Sequence, residues 1–192
     1  PGVQSFGLGT QGVEKEVKML FPYARVARMD RDTTTGKRSH HIILEKFEAG
    51  EIDILIGTQM IAKGHDLPKI TLVGVLSADT SLGFPDFRAS ERTFQLLTQV
   101  AGRTGRGTLP GKVIVQTFNP EHYSIQQARL HDFTNFYKEE IIFRRELNYP
   151  PFCRLINFRI LGNSKRDTAE YAEDLGGLCD DLLKKNSTYH KY

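Results

Sequence analysis

Residues 70–118 read ITLVGVLSADTSLGFPDFRASERTFQLLTQVAGRTGRGTLPGKVIVQTF. Two short runs rich in Val and Ile, 70–77 (ITLVGVLS) and 112–118 (KVIVQTF), bracket a helical pattern at 89–102. Phe94, Leu97 and Val100-Ala101 share one face of that helix and would pack on a sheet, while Ser90 stands where a cap is expected and Glu91 falls in the first turn. The stretch is therefore strand, helix, strand. Working outward, the pattern repeats. Candidate strands at 3–6 (VQSF), 24–29 (ARVARM) and 52–56 (IDILI) alternate with helix-like stretches at 11–21 and 38–50. This alternation predicts an α/β fold with a mostly parallel sheet flanked by helices. Strand 52–56 ends in Gly57-Thr58 and strand 70–77 in Ala78-Asp79. In such sheets ligands collect at the carboxyl ends of strands, so a site is expected there.

The character changes after residue 120. Tyr123, Ile125, Ala128, Leu130, Phe133, Phe136, Tyr137, Ile141, Ile142 and Leu147 recur at three- and four-residue steps, which predicts an amphipathic helix or helix pair. Asn119-Pro120 and Tyr149-Pro150-Pro151 are breakers on either side. The expected organisation is a domain over 1–120, a helical connector over 121–149 and a further domain over 150–192. That last part predicts one strand at 154–161 (RLINFRIL), a turn at Gly162-Asn163 and a helix at about 165–185. One strand and one helix cannot close a core, so 150–192 is expected to be the start of a truncated α+β domain, with a frayed end at 184–192.

Composition sets the outer limits. The chain has 192 residues, 39% hydrophobic, 26% charged and 10% aromatic, which are globular proportions. No apolar run could span a bilayer and no signal peptide is visible, so a cytoplasmic protein without a membrane partner is expected. Cys153 and Cys179 form neither a disulfide framework nor a paired zinc motif, and no His or Cys positions have zinc spacing. A net charge of +3 is too mild to argue nucleic-acid binding by itself.

Residues 7–12, G-L-G-T-Q-G, match the dinucleotide fingerprint G-x-G-x-x-G, with a strand before, a helix after and Asp30 about 20 residues on. A dinucleotide-dependent oxidoreductase is one reading. Against it, the helix would open Val13-Glu14-Lys15-Glu16, and carboxylates near its start repel a pyrophosphate. The other reading is a glycine-rich turn into a helix capped at Thr10 or Gln11.

Gly102-Arg103-Thr104-Gly105-Arg106-Gly107 carries the chemistry. Two arginines three apart share one side of a helical or tight-turn backbone, and glycines between them leave room for a ligand. The planar guanidinium fork matches phosphate oxygens. An arginine at a transferring phosphoryl group stabilises charge that appears only in the transition state. A lone arginine at a helix end complements the carbonyl dipole; a G-R-x-G-R-G pair reads as an anion grip.

QVAGRTGRG (99–107) resembles the last motif of superfamily 2 helicases, and GTQMIAKGHDLPKITLVGVLSAD (57–79) resembles the motif before it. The fuller pattern resembles the PriA family of primosomal replication-restart DNA helicases. It is carried by GTQ at 9–11 with Val13-Glu14, RMDRDTT at 28–34, LIGTQMIAKGHD at 55–66, PDFRASERTFQLLTQVAGRTGR at 85–106 and NYPPF at 148–152. The resemblance implies the second RecA-like motor lobe of an ATP-dependent, 3′-to-5′ DNA helicase, plus the beginning of a last domain. A P-loop is absent, since Gly36-Lys37 and Gly111-Lys112 lack the upstream glycine and the following Ser or Thr. The resemblance puts it, the magnesium motif and the zinc cysteines before residue 1. ATP, magnesium and zinc are thus expected of a longer protein, with zinc ligands outside this chain.

The resemblance also implies roles. Arg103 and Arg106 approach the nucleotide phosphates, Arg106 as the γ-phosphate finger. Gln99 relays the γ-phosphate state or is an ordinary surface amide. Gly64 allows close backbone approach. Asp66 touches the ribose or a catalytic water, or forms a turn before Leu67-Pro68. On DNA, Thr58 contacts phosphate beside Gln59, and Lys63 is a phosphate contact or a solvated lysine. Arg28, Arg31 and Thr33 would bind the tracking strand, with Asp30 and Asp32 in the same loop. Contacts to the backbone alone give sequence-independent grip. The implied partners are forked and single-stranded DNA, single-stranded-DNA-binding protein and other primosome proteins. A non-catalytic interaction module with a motor-lobe fold, and RNA in place of DNA, remain alternatives.

Overall fold

The computed structural model describes residues 9–30, 37–58, 70–102, 104 and 110–185. The elements in chain order are α1 (Thr10–Leu20), β1 (Val26–Met29), α2 (Lys37–Glu48), β2 (Ile54–Gly57), β3 (Leu72–Val75), α3 (Asp79–Leu82), α4 (Ala89–Ala101), β4 (Lys112–Val115), α5 (Tyr123–Leu130), α6 (Phe133–Glu146) and α7 (Lys165–Lys185). The expected strand at 3–6 lies outside the described residues. The chain divides into two compact units, Pro1–Glu140 and Ile141–Tyr192.

In the first unit, β1 pairs with β2 in parallel from Val26–Ile54 to Met29–Gly57. β3 pairs with β4, also in parallel, from Leu72–Lys112 to Val75–Val115. Parallel neighbours need a crossover, and the sequence supplies α2 for the first pair and α3–α4 for the second. Val73 and Val75 are half-buried whereas Leu72 and Gly74 are exposed, because alternate side chains point to opposite faces of the pair.

Two apolar clusters hold this unit. In one, Met29 and Leu44 are buried, with Ile43, Phe47, Leu55 and Ile70 packed against them. Positions 43, 44 and 47 form one stripe of α2. In the other, Phe94 and Leu97 of α4 meet Ala78, Ile125, Ala128 and Phe136. α4 buries Ala89, Thr93, Phe94, Leu97 and Val100, the expected helix face. Phe94 and Phe136 stack with ring centroids 4.2 Å apart. The apolar repeat beyond residue 120 resolves into a pair, α5 and α6, separated at His131, which takes a left-handed φ of 54°. Both contribute to the α4 core, so that core continues past residue 120.

Helix starts depart from the expected caps. α4 begins at Ala89, so Ser90 lies inside it, and Asp86 Oδ1 instead accepts the Arg88 N–H at 2.9 Å. Glu91 does sit in the first turn, paired with Arg88 at 3.0 Å. α1 begins at Thr10 after Gly9, with no side-chain cap and no acid in its first turn. Thr10 and Gln11 therefore do not cap it, and Glu14 falls one turn later than expected.

In the second unit, α6 ends at Glu146, and Asn148 just beyond it is another left-handed residue with φ 52°. The Tyr149 N–H returns to the Arg144 carbonyl at 2.7 Å. The Arg145 guanidinium lies 4.9 Å from the Phe152 ring centroid. α7 matches the expected helix at 165–185. The expected strand at 154–161 does not form: residues 154–160 carry no ladder, and Ile156 is 78% exposed. A strand needs a neighbour for its N–H and C=O groups, and the described residues offer it none.

Candidate functional site: a strand-edge and helix-end constellation

Of the nucleotide-facing residues expected from sequence, only Gln99, near the end of α4, falls among the described residues. Gln99 is exposed, off the face buried by Phe94, Leu97 and Val100. Gly102 ends the helix, its N–H bonding the Thr98 carbonyl at 3.0 Å. The Thr104 hydroxyl then donates to the Ala101 carbonyl at 3.1 Å. These bonds satisfy carbonyls that a helix end leaves bare. Among the described residues, a Cβ at Gly102 would meet only Thr98 O at 3.5 Å and Gln99 O at 3.8 Å, ordinary contact distances. Arg103, Arg106, Gly64 and Asp66 lie outside the described residues.

The chain enters β3 and β4 side by side, the Lys112 N–H bonding the Thr71 carbonyl at 2.8 Å. In sequence the GxD segment follows the carboxyl end of β2 and precedes β3, and GRxGR precedes β4. At the carboxyl end of β3, Asp79 is occupied within the fold. Its carboxylate accepts from Thr117 Oγ1 at 3.0 Å and from the Phe118 N–H at 3.1 Å. That acid ties the exit of β4 to the start of α3.

The residues expected on DNA follow β1 and β2. Thr58 is exposed immediately past β2, next to the Met29–Gly57 rung. Gln59, Lys63, Arg31 and Thr33 lie outside the described residues. Arg28 is turned into the fold: its guanidinium is 3.0 Å from Glu14 and 2.9 Å from Asp30, with the side chain 18% exposed. Its charge is matched twice over within the chain, unlike that of a free phosphate-gripping arginine. Sequence reasoning missed this ion pairing; Glu14 and Asp30 were visible, but their approach depends on α1 lying against β1.

Asp30 also bears on the glycine-rich turn. It is buried and accepts the Thr10 hydroxyl at 2.5 Å as well as the Arg28 Nη1. A ribose-binding acid must be open to its ligand; this one is used to fasten α1 to β1.

The His40-His41 pair was expected exposed at a helix start, and only His41 is. His41 is exposed and 3.3 Å from Glu45, while His40 is half-buried near the start of α2. Cys153 and Cys179 are free and half-buried.

The helicase conserved C-terminal domain family matches residues 6–108, more than half of the 192-residue chain. The chain belongs to this family. The family's fold is RecA-like, in keeping with the helices and short parallel strands seen here. Among individual proteins, the chain is similar to the replication restart protein PriA of Bacillus subtilis, 58% identical over 153 residues, which is 80% of this chain and 19% of that protein. It is also similar to PriA of Synechocystis sp., 46% identical over 185 residues, 96% of this chain and 22% of that protein. A third relative, PriA of Treponema pallidum, is 47% identical over 168 residues, covering 86% of this chain and 25% of the relative. The chain thus spans about a fifth to a quarter of the length of these curated relatives. The family match covers GTQMIAKGHD and GRTGRG together, and the PriA similarity extends beyond both.

Proposed function

We propose that this chain is the second motor lobe of an ATP-dependent DNA helicase that acts in replication restart and primosome assembly. The observation that carries the reading is the helicase-family match over 6–108 joined to 58% identity with a replication restart protein. In this reading ATP binds between this lobe and another that supplies the P-loop. Arg106 reaches the γ-phosphate and Arg103 stands beside it; Gln99, exposed on α4, reports the phosphate state, and Gly64 and Asp66 meet the nucleotide from the segment before β3. Because the guanidinium charge is fixed, its value is greatest where phosphoryl charge develops, in the transition state. Lobe closure and release then move Thr58, Gln59, Lys63, Arg31 and Thr33 along one DNA strand in the 3′-to-5′ direction. Arg28 serves this surface from behind, by holding β1 to α1.

Among the described residues no group of three or more His, Cys, Asp or Glu side chains converges as metal ligands would. The reading assigns magnesium and zinc to residues elsewhere in a longer protein, and no step here runs through them. Forked and single-stranded DNA, single-stranded-DNA-binding protein and other primosome proteins are the proposed partners. No described helix is long and apolar enough to cross a membrane, and the proposed location is the cytoplasm. A dinucleotide-dependent oxidoreductase finds no support, since Asp30 is already bonded to Thr10 and Arg28.

The test is Arg106→Ala in a full-length protein carrying this lobe. A finger of this kind is worth about a thousandfold or more in rate. Turnover of ATP should therefore fall by about that factor while nucleotide binding, followed with a fluorescent analogue, changes little. Near-normal turnover would remove Arg106 from the role.

A further inference from the structure

The turn into α5 holds a histidine in an unusual position. His122 is the N-cap of α5, and its ring Nδ1 accepts the Ser124 N–H at 3.2 Å. The same nitrogen lies 2.8 Å from Ser124 Oγ. Ser124 is fully buried, so water cannot replace a lost partner. The imidazole stacks on the Tyr123 ring at 4.6 Å, and Tyr123 stacks in turn on Phe136 of α6 at 5.8 Å. The Tyr123 hydroxyl donates to the buried Glu140 of α6 at 2.6 Å. Caps are ordinarily Ser, Thr, Asp or Asn, none of which loses its acceptor near neutral pH.

We propose that His122 is a proton-operated catch for the α5–α6 pair: the uncharged ring closes it and the imidazolium opens it. Accepting from Ser124 requires a bare Nδ1 and the proton on Nε2. Protonating Nδ1 turns the acceptor into a donor, leaves the Ser124 N–H without a partner, and sets a cation at the positive end of α5. Ser124 Oγ can reverse its role and accept from the ring, but the backbone N–H cannot.

The groups facing the ring oppose one another. Burial is the largest influence and holds His122 below the ordinary histidine value, whereas Glu140 and Glu139 of α6 favour the charged ring. The folded-state value is the lowered one. The cap's contribution is therefore complete above the ordinary histidine value of about 6.5 and is lost as pH falls through the folded value.

Nuclear magnetic resonance of the 192-residue chain between pH 7.5 and 4.5 tests the catch. Above the transition the ring should show the Nε2–H tautomer. As it titrates, amide exchange at Ser124, Ile125 and Gln126 should accelerate at least tenfold, and the Tyr123 and Phe136 ring signals should shift with the same midpoint. His122→Asn keeps a side-chain acceptor that does not titrate, so its amides should stay protected at the same pH. The idea is overturned if the wild-type ring is the Nδ1–H tautomer, if amide protection survives its titration, or if the Asn variant loses protection at the same pH. The tautomer is read on the wild-type chain and decides the matter even if the variant folds poorly.

Discussion

At the scale of single residues, several of the described charges are paired within the chain. Arg25 binds Asp53 through Nε at 2.9 Å, Nη2 at 2.6 Å and its backbone N–H at 2.8 Å. The hydrogen bonds from Arg25 hold the Asp53 carboxyl down at about 2. A depressed carboxylate stabilises the fold above its ordinary value and loses that contribution as pH falls through the lowered one. The pair is solvent-exposed, so salt should weaken it and the effect on stability should be small. Carbon-detected titration should place Asp53 near 2 in the native chain, with Arg25→Gln returning it toward 3.8. An unmoved midpoint in the variant would show that Arg25 is not the cause. Arg28 teaches the complementary lesson. RMDRDTT reads as a basic loop with acids interspersed, and only the packing of α1 on β1 reveals that the first arginine belongs to Glu14 and Asp30.

At the scale of elements, burial separates what is costly to change from what is not. Phe136 is 3% exposed and lies between Phe94 and Tyr123. Phe136→Ala should cost about 3–5 kcal/mol in denaturant unfolding, because the remaining rings cannot close over the void. Gly176 and Gly177 sit within α7, where an added Cβ meets no atom of the described residues within 4 Å. Gly177→Ala should therefore raise helix content by circular dichroism and stabilise α7 by up to about 1 kcal/mol. A loss would indicate a neighbour that the open surface does not display. α1, α2, α4 and α7 were legible in the sequence to within a residue or two, since their apolar spacing is local information, whereas 121–147 read as a helix or a helix pair and the break between α5 and α6 was not placed. Caps were not legible: Ser90 and Thr10 are sound cap residues, but the N-caps are Arg88, two residues before Ser90, and Gly9, one residue before Thr10. The strand expected at 154–161 had the alternation and lacked the neighbour, which no local pattern can report.

At the scale of the whole molecule, GRxGR and the segment before β3 identified the family correctly because their spacing is long and specific. The general rule for open parallel sheets points to the carboxyl ends of β2 and β3; Thr58 is exposed past β2, Asp79 past β3 is hydrogen-bonded to Thr117 and Phe118, and Gly64, Asp66, Arg103 and Arg106 lie outside the described residues. The proposed division of labour makes a simple demand on the isolated chain. With the arginine pair but no P-loop, it should show no DNA-stimulated ATP hydrolysis above background in a phosphate-release assay. Activity that persists through purification and disappears with Arg106→Ala would mean that the chain builds a complete nucleotide site, contrary to the two-lobe reading. Single-strand binding should also weaken steeply as salt rises, since the proposed contacts are to phosphates.

The carboxylate of Asp79 has a practical consequence for anyone wishing to redesign this lobe. It works as a rivet between the exits of two neighbouring strands, so the edge most often borrowed for new ligands already has its acid in use. A grafted pocket at that edge would first have to replace the rivet with another acceptor for Thr117 and Phe118, or the floor of the pocket would come apart as its walls were built.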